Sequence, residues 1–207
     1  MTEPMIWCGS DPGLAKFGVA YLLRQGGLWH ALKVHTVTTV PADRMGKRLV
    51  KIRYSLLKQP ALEPKYVGTA IGFAYESQLG ARMGHRERGD SNYNADLIER
   101  VIGLIWERSL MEFGSVTREE PVEVTPGFIR KSLGLSLRAT KKQVANMVRR
   151  MVLGLPADLD EHACDAAAIA IAGERRWSLD QAVAKMVGKG RLETELRKRA
   201  QQERKRQ

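Results

Sequence analysis

The sequence predicts an α/β layer fold: a five-stranded mixed sheet flanked by helices, with a basic C-terminal helical extension. Two patterns carry this. Residues 5 to 10, 17 to 24 and 29 to 38 are short blocks rich in apolar and β-branched types, separated by DPG and by RQGG, which read as three strands joined by turns. After residue 40 helical and extended apolar patterns alternate, as they do where helices cover a sheet.

From Asp43 to Gln59, Met45, Leu49, Ile52 and Leu56 recur at helical spacing with Lys and Arg between them, so a first helix buries one face. YVGTAIGFAY, residues 66 to 75, is too glycine-rich for a helix and reads as a strand buried on both faces, with Glu76 at its carboxyl end. Residues 78 to 94 form a basic, glycine-containing loop with Arg82, Arg86 and Arg88, suited to gripping an anionic substrate. Leu97 to Phe113 is apolar around most of its circumference, which predicts a helix buried on more than one side. VEVT, residues 122 to 125, supplies the fifth strand, and Pro126 opens a short helix. Val144, Met147, Val148, Met151 and Val152 mark an amphipathic helix from Thr140 to Val152. Ala163 to Ala172 is nearly all Ala and Ile, so its backbone can approach a neighbouring layer closely.

A chain of 207 residues fits one core domain, 1–173, and a terminal extension, 174–207. The extension is expected to be helical or partly disordered, and residues 185 to 207 hold nine Lys or Arg against three Glu. Two cysteines without paired-ligand spacing argue against a disulfide framework or a Cys-rich zinc module. No apolar run reaches the roughly 18 to 20 residues of a membrane span, so no membrane association and a cytoplasmic location are expected. The net charge of +11, from 34 Lys plus Arg against 23 Asp plus Glu, suits a polyanionic partner.

Within this basic chain, Asp11, Glu76, His162 and Asp165 come from three separate segments. If the first and fourth strands are parallel neighbours, Asp11 and Glu76 meet at their carboxyl edge, where open sheets place their sites. His162 and Asp165 are three residues apart on a helix, about one turn, and can face the same point. Hard cations prefer carboxylate oxygens, which three of the four supply, so Mg²⁺ suits the set with Mn²⁺ as a substitute, and two ions roughly 3.5 to 4 Å apart activate water in phosphodiester hydrolysis. Glu161 and Asp158 lie on turns that could share the face, so the inward ligand is open between His162 and Glu161.

DPGLAKFGVAYL resembles the opening strand pair of RuvC-type Holliday-junction resolvases, YESQ at 75 to 78 their second acidic motif, and HACDAAAIAIA their closing motif. The resemblance runs from about Ile6 to Ala172 and takes in the basic segment at 129 to 153. It implies an RNase H-like fold, a homodimer, and metal-dependent paired nicking of four-way junction DNA, and it leaves room for a branch-migration motor as partner. Position by position, Asp11, Glu76 and Asp165 match the acidic residues, and His162 falls where members carry Asp or His. Lys141 and Arg130 match basic positions near the scissile strand, with Arg130 where Lys is more familiar; Lys131 and Lys142 extend the same DNA-binding set. Leu79 departs from the pattern, standing where an aromatic side chain near the junction centre is expected, and Tyr93 is the candidate to replace it.

Three other functions remain open at this point. Another RNase H-like nuclease, acting on RNA–DNA hybrid or on branched or flap DNA, would carry the same acidic set. A junction-binding protein without catalysis would share the basic surfaces. DPG followed by a small residue and FG is also similar to the phosphate loop of actin-like ATP folds, which need two such domains where this chain has room for one.

Overall fold

The structure, a computed structural model, describes residues 4–40, 42–57, 69–77, 93–111 and 121–204. Strands β1 (Met5–Asp11), β2 (Lys16–Gln25) and β3 (Leu28–Thr38) form an antiparallel meander, as the three apolar blocks predict. Helix α1 (Met45–Leu57) precedes β4 (Ile71–Glu76), which lies parallel to β1. Helix α2 (Tyr93–Met111) precedes β5 (Val122–Val124), parallel to β4. Thr125 caps α3 (Pro126–Ser132), its hydroxyl accepting from the Phe128 amide at 3.3 Å, and Pro126 opens the helix as expected. Thr140 and Gln143 form a capping box on α4 (Lys141–Met151).

Among the described residues the sheet has six strands rather than five, in the order β5-β4-β1-β2-β3-β6. The sixth, β6 (Val152–Leu153), pairs parallel to β3 through Trp29 and His30. Its residues follow an amphipathic helix, and the helical reading accordingly runs one residue too far. Val152 is extended (φ −113°, ψ 120°), and its burial serves a strand as well as a helix face.

Helix α5 (Glu161–Arg204) ends the described chain. The chain divides into two compact units, Met1–Glu174 and Arg175–Gln207. In the second, the large apolar side chains Leu179, Val183, Met186 and Val187 are exposed.

Strand alternation assigns the two faces of the sheet. Ile6 and Cys8 of β1, the odd-numbered residues from Phe17 to Leu23 of β2, and Ile71, Phe73 and Tyr75 of β4 share a core with Ile52 and Leu56 of α1 and Val101 and Ile105 of α2. Around α2 the burial is uneven: Val101 and Ile105 are fully buried, whereas Ile98, Ile102, Leu104 and Trp106 are only partly so. Tyr21 Oη donates to the Leu56 carbonyl at 2.8 Å and Arg108 Nε to the same oxygen at 3.2 Å, while the Arg108 guanidinium lies 5.6 Å from the Phe73 ring centre. One carbonyl at the end of α1 therefore ties β2 and α2 to it.

The other face of the sheet receives the first turns of α5. A Cβ at Gly9 would stand 2.1 Å from the Ala166 oxygen and 2.4 Å from the Ala170 nitrogen, and one at Gly18 would stand 2.2 Å from the His162 oxygen. Backbone meets backbone here, which the run of buried alanines from Ala163 onward allows. Because the obstructing atoms are main-chain, Gly18→Ala is expected to lift α5 and to cost about 1 to 3 kcal/mol, the usual range for overpacking. A chemical-denaturation midpoint equal to that of the unaltered chain would show that α5 does not need this contact.

Candidate active site

Asp11 is the last residue of β1 and Glu76 the last of β4. The parallel register pairs Ser10 with Tyr75, so Asp11 and Glu76 leave the sheet as neighbours at its carboxyl edge. Asp11 alternates with Gly9 and Glu76 with Gly72, which puts both carboxylates on the face that α5 covers.

The start of α5 is held by Asp160, whose Oδ1 accepts from the Ala163 amide at 2.9 Å and from Thr36 Oγ1 at 2.5 Å. This is an N-cap with a second anchor on β3. The helix phase set in this way turns His162 toward Asp11, with Nδ1 2.8 Å from Oδ2. Glu161, one position earlier, is exposed and pairs instead with Lys141, whose Nζ also lies 3.5 Å from Asp165 Oδ2. Asp158 is exposed as well. Of the two open candidates, His162 is thus the residue that faces Asp11.

Of the described basic residues expected to bind nucleic acid, two reach the site. Lys141 does so through Asp165. Arg130 is fixed by an Nε hydrogen bond to the Ala139 carbonyl at 3.1 Å, and its charge acts on Glu76. Lys131 and Lys142 are exposed on α3 and α4. Arg82, Arg86, Arg88 and Leu79 lie outside the described residues, and Tyr93 is the first residue of α2. The structure adds Asp160, Thr36 and Lys16, the last because its charge acts on Asp160 and Glu161. Asp160 was legible as a cap-type residue before an Ala-rich helix. Thr36 was not, since its contact spans 124 positions.

Burial pushes the Glu76 carboxyl up to about 7, and the charges of Asp11 and then Asp165 add to the effect, with Lys141 and Arg130 opposing it. Burial likewise raises Asp11 and Asp165, against the hydrogen bond and charge of His162 in the first case and the charge of Lys141 in the second. Among the described residues, no three His, Cys, Asp or Glu side chains stand close enough to hold one ion as they are placed. The charge of Lys141 acts on all three carboxylates, His162 adds a hydrogen bond to Asp11, and Arg130 adds its charge at Glu76. At Glu76 burial first, and then the charges of Asp11 and Asp165, outweigh what Lys141 and Arg130 offset. A divalent cation answers the same need, and three carboxylates with an imidazole are suitable donors for one.

Two solved structures of Thermus thermophilus RuvC are similar to the chain. One is 24% identical, with a TM-score of 0.59 over 81% of this chain and 92% of that one. The other, RuvC in complex with Holliday junction substrate, is 22% identical, with a TM-score of 0.63 over 84% of this chain and 96% of that one. No protein-family model and no curated protein matches. The fold is therefore RuvC-like, of the RNase H-like α/β class.

Between its ordinary 4.5 and about 7, Glu76 binds more proton in the folded chain than in the unfolded one, so its contribution to stability falls as pH rises through that window. Without divalent cation, Glu76→Gln is expected to gain on the unaltered chain from pH 5 to pH 8, by up to about 3 kcal/mol. Thermal or chemical melts in chelator at both pH values measure this. A stability difference that does not change with pH would overturn the assignment of a raised Glu76.

Proposed function

We propose that the chain is a divalent-metal-dependent, structure-selective endonuclease that resolves four-way DNA junctions by paired symmetric nicks. What supports this is the position of Asp11 and Glu76 at the ends of parallel strands β1 and β4, with His162 beside Asp11 and Lys141 beside Asp165, in a fold similar to that of a RuvC captured with a Holliday junction. The basic chain around the acidic site supports a polyanionic substrate.

A Mg²⁺ or Mn²⁺ ion held by Asp11, Glu76 and Asp165 would supply a polarised phosphate and a more acidic water. The remaining roles fall to the chain itself. An ionised Asp11 can only accept a hydrogen bond, so the proton in its contact with His162 sits on Nδ1. Nε2 is then the basic nitrogen, which would take a proton from water attacking the phosphorus. Lys141, beside Asp165, and Arg130, held by the Ala139 carbonyl, offer positive charge to the phosphate as its charge grows in the transition state.

A four-way junction presents two equivalent strands, and a homodimer with one site per subunit accounts for symmetric cuts. A branch-migration motor as further partner and a cytoplasmic location belong to the same proposal. Among the described residues, no helix is long and apolar enough to cross a membrane.

The test is cleavage of a labelled four-way junction with Mg²⁺ or with chelator, using linear duplex and RNA–DNA hybrid as controls. Paired nicks that need metal are expected, and Asp11→Asn, Glu76→Gln or Asp165→Asn should each abolish cutting while junction binding persists. Cutting of the hybrid alone would point to another RNase H-like nuclease, and binding without cutting to a junction-binding protein.

For His162→Ala the expected loss of cutting is roughly 10² to 10⁴-fold. An unaltered rate would remove His162 from proton transfer.

A further inference from the structure

We infer that Lys16 and Lys141 form a subsite for a backbone phosphate at the rim of the active site, and that the Glu161 carboxylate holds this place until DNA displaces it. This depends on the nuclease function proposed above and adds to it a substrate contact.

Glu161 opens α5 and Lys141 opens α4, and the two side chains pair at the rim while each stays more than half exposed. The same ammonium lies 3.5 Å from Asp165, so Lys141 bridges a carboxylate outside the site and one inside it. Lys16 approaches from the sheet. It alternates with Gly18, whose backbone touches that of His162, and therefore stands on the face covered by the first turn of α5. Its cross-strand partner Thr38 lies two residues from Thr36, which is anchored to Asp160. Glu161 thus has a lysine from α4 at contact distance and one from β2 within its electrostatic reach.

To an ammonium, a carboxylate and a phosphodiester offer the same thing: a single negative charge spread over two acceptor oxygens. An exposed lysine–glutamate pair contributes little by itself, so a phosphate can replace the carboxylate at small cost. Once displaced, Glu161 remains beside the DNA backbone and cancels much of the charge that Lys141 brings. Phosphate contact at this point is consequently weaker, and less dependent on salt, than two lysines alone would make it.

Binding of a fluorescein-labelled junction and of a linear duplex, measured by anisotropy in chelator over a range of salt concentrations, tests this. Glu161→Gln is expected to tighten binding several-fold and to steepen the plot of log affinity against log salt by up to about 0.9, the slope of one further neutralised phosphate. Lys16→Gln should weaken binding and flatten the same plot. In a Lys16→Gln/Lys141→Gln chain, adding Glu161→Gln should have little further effect, because the lysines it competes for are gone. An unchanged affinity and slope for Glu161→Gln would overturn the subsite, as would an equal gain in both backgrounds, which would mean simple repulsion of DNA. If the unaltered chain binds and cuts junctions, such a result leaves the nuclease function standing; if it binds no DNA, both proposals fall.

Discussion

Main chain rests on main chain where α5 crosses β1 and β2, and the acidic site depends on that contact. At Gly9 and Gly18 no room exists for even one carbon beyond the backbone. The facing helix meets this with Ala163, Ala166, Ala167 and Ala170, all essentially inaccessible. A larger residue on either side would displace the helix, and with it the reach of His162 to Asp11. The same surface leaves little freedom for sliding, because the Asp160 cap ties the helix start to Thr36 and an Arg24–Glu174 ion pair lies near the other end of the packed segment.

The second constraint is charge. Three partly buried carboxylates converge on a protein with net charge +11, and burial makes their ionisation costly unless positive groups stand close. The chain supplies those groups from helix starts and short helices. Lys141 comes in on the first turn of a helix whose capping box fixes its direction, and Arg130 is held by the Ala139 carbonyl of the connecting turn. Compensation is incomplete at Glu76, where burial first and then the charges of Asp11 and Asp165 push the carboxyl up to about 7.

Much of this was legible in the primary sequence because the determining forces are local. Alternation and turn residues mark the meander, Pro126 and Thr140 mark two helix starts, and Glu76 closes an apolar block as the last residue of its strand. The short strand β6 was lost for an equally local reason, since a valine after an amphipathic helix satisfies either periodicity.

The sequence by itself determined which residue types were available and on which elements they ride: Asp11 and Glu76 at strand ends, and His162 one turn from Asp165. Only the tertiary structure decided which of them meet. Adjacent residues on a helix point about 100° apart, and that angle separates His162, turned to Asp11, from Glu161, turned to Lys141. The choice is made by rotation of α5 about its axis, set by the glycine contacts of β1 and β2 and the Thr36 anchor on β3. Those contacts join residues more than a hundred positions apart, beyond the reach of any local pattern.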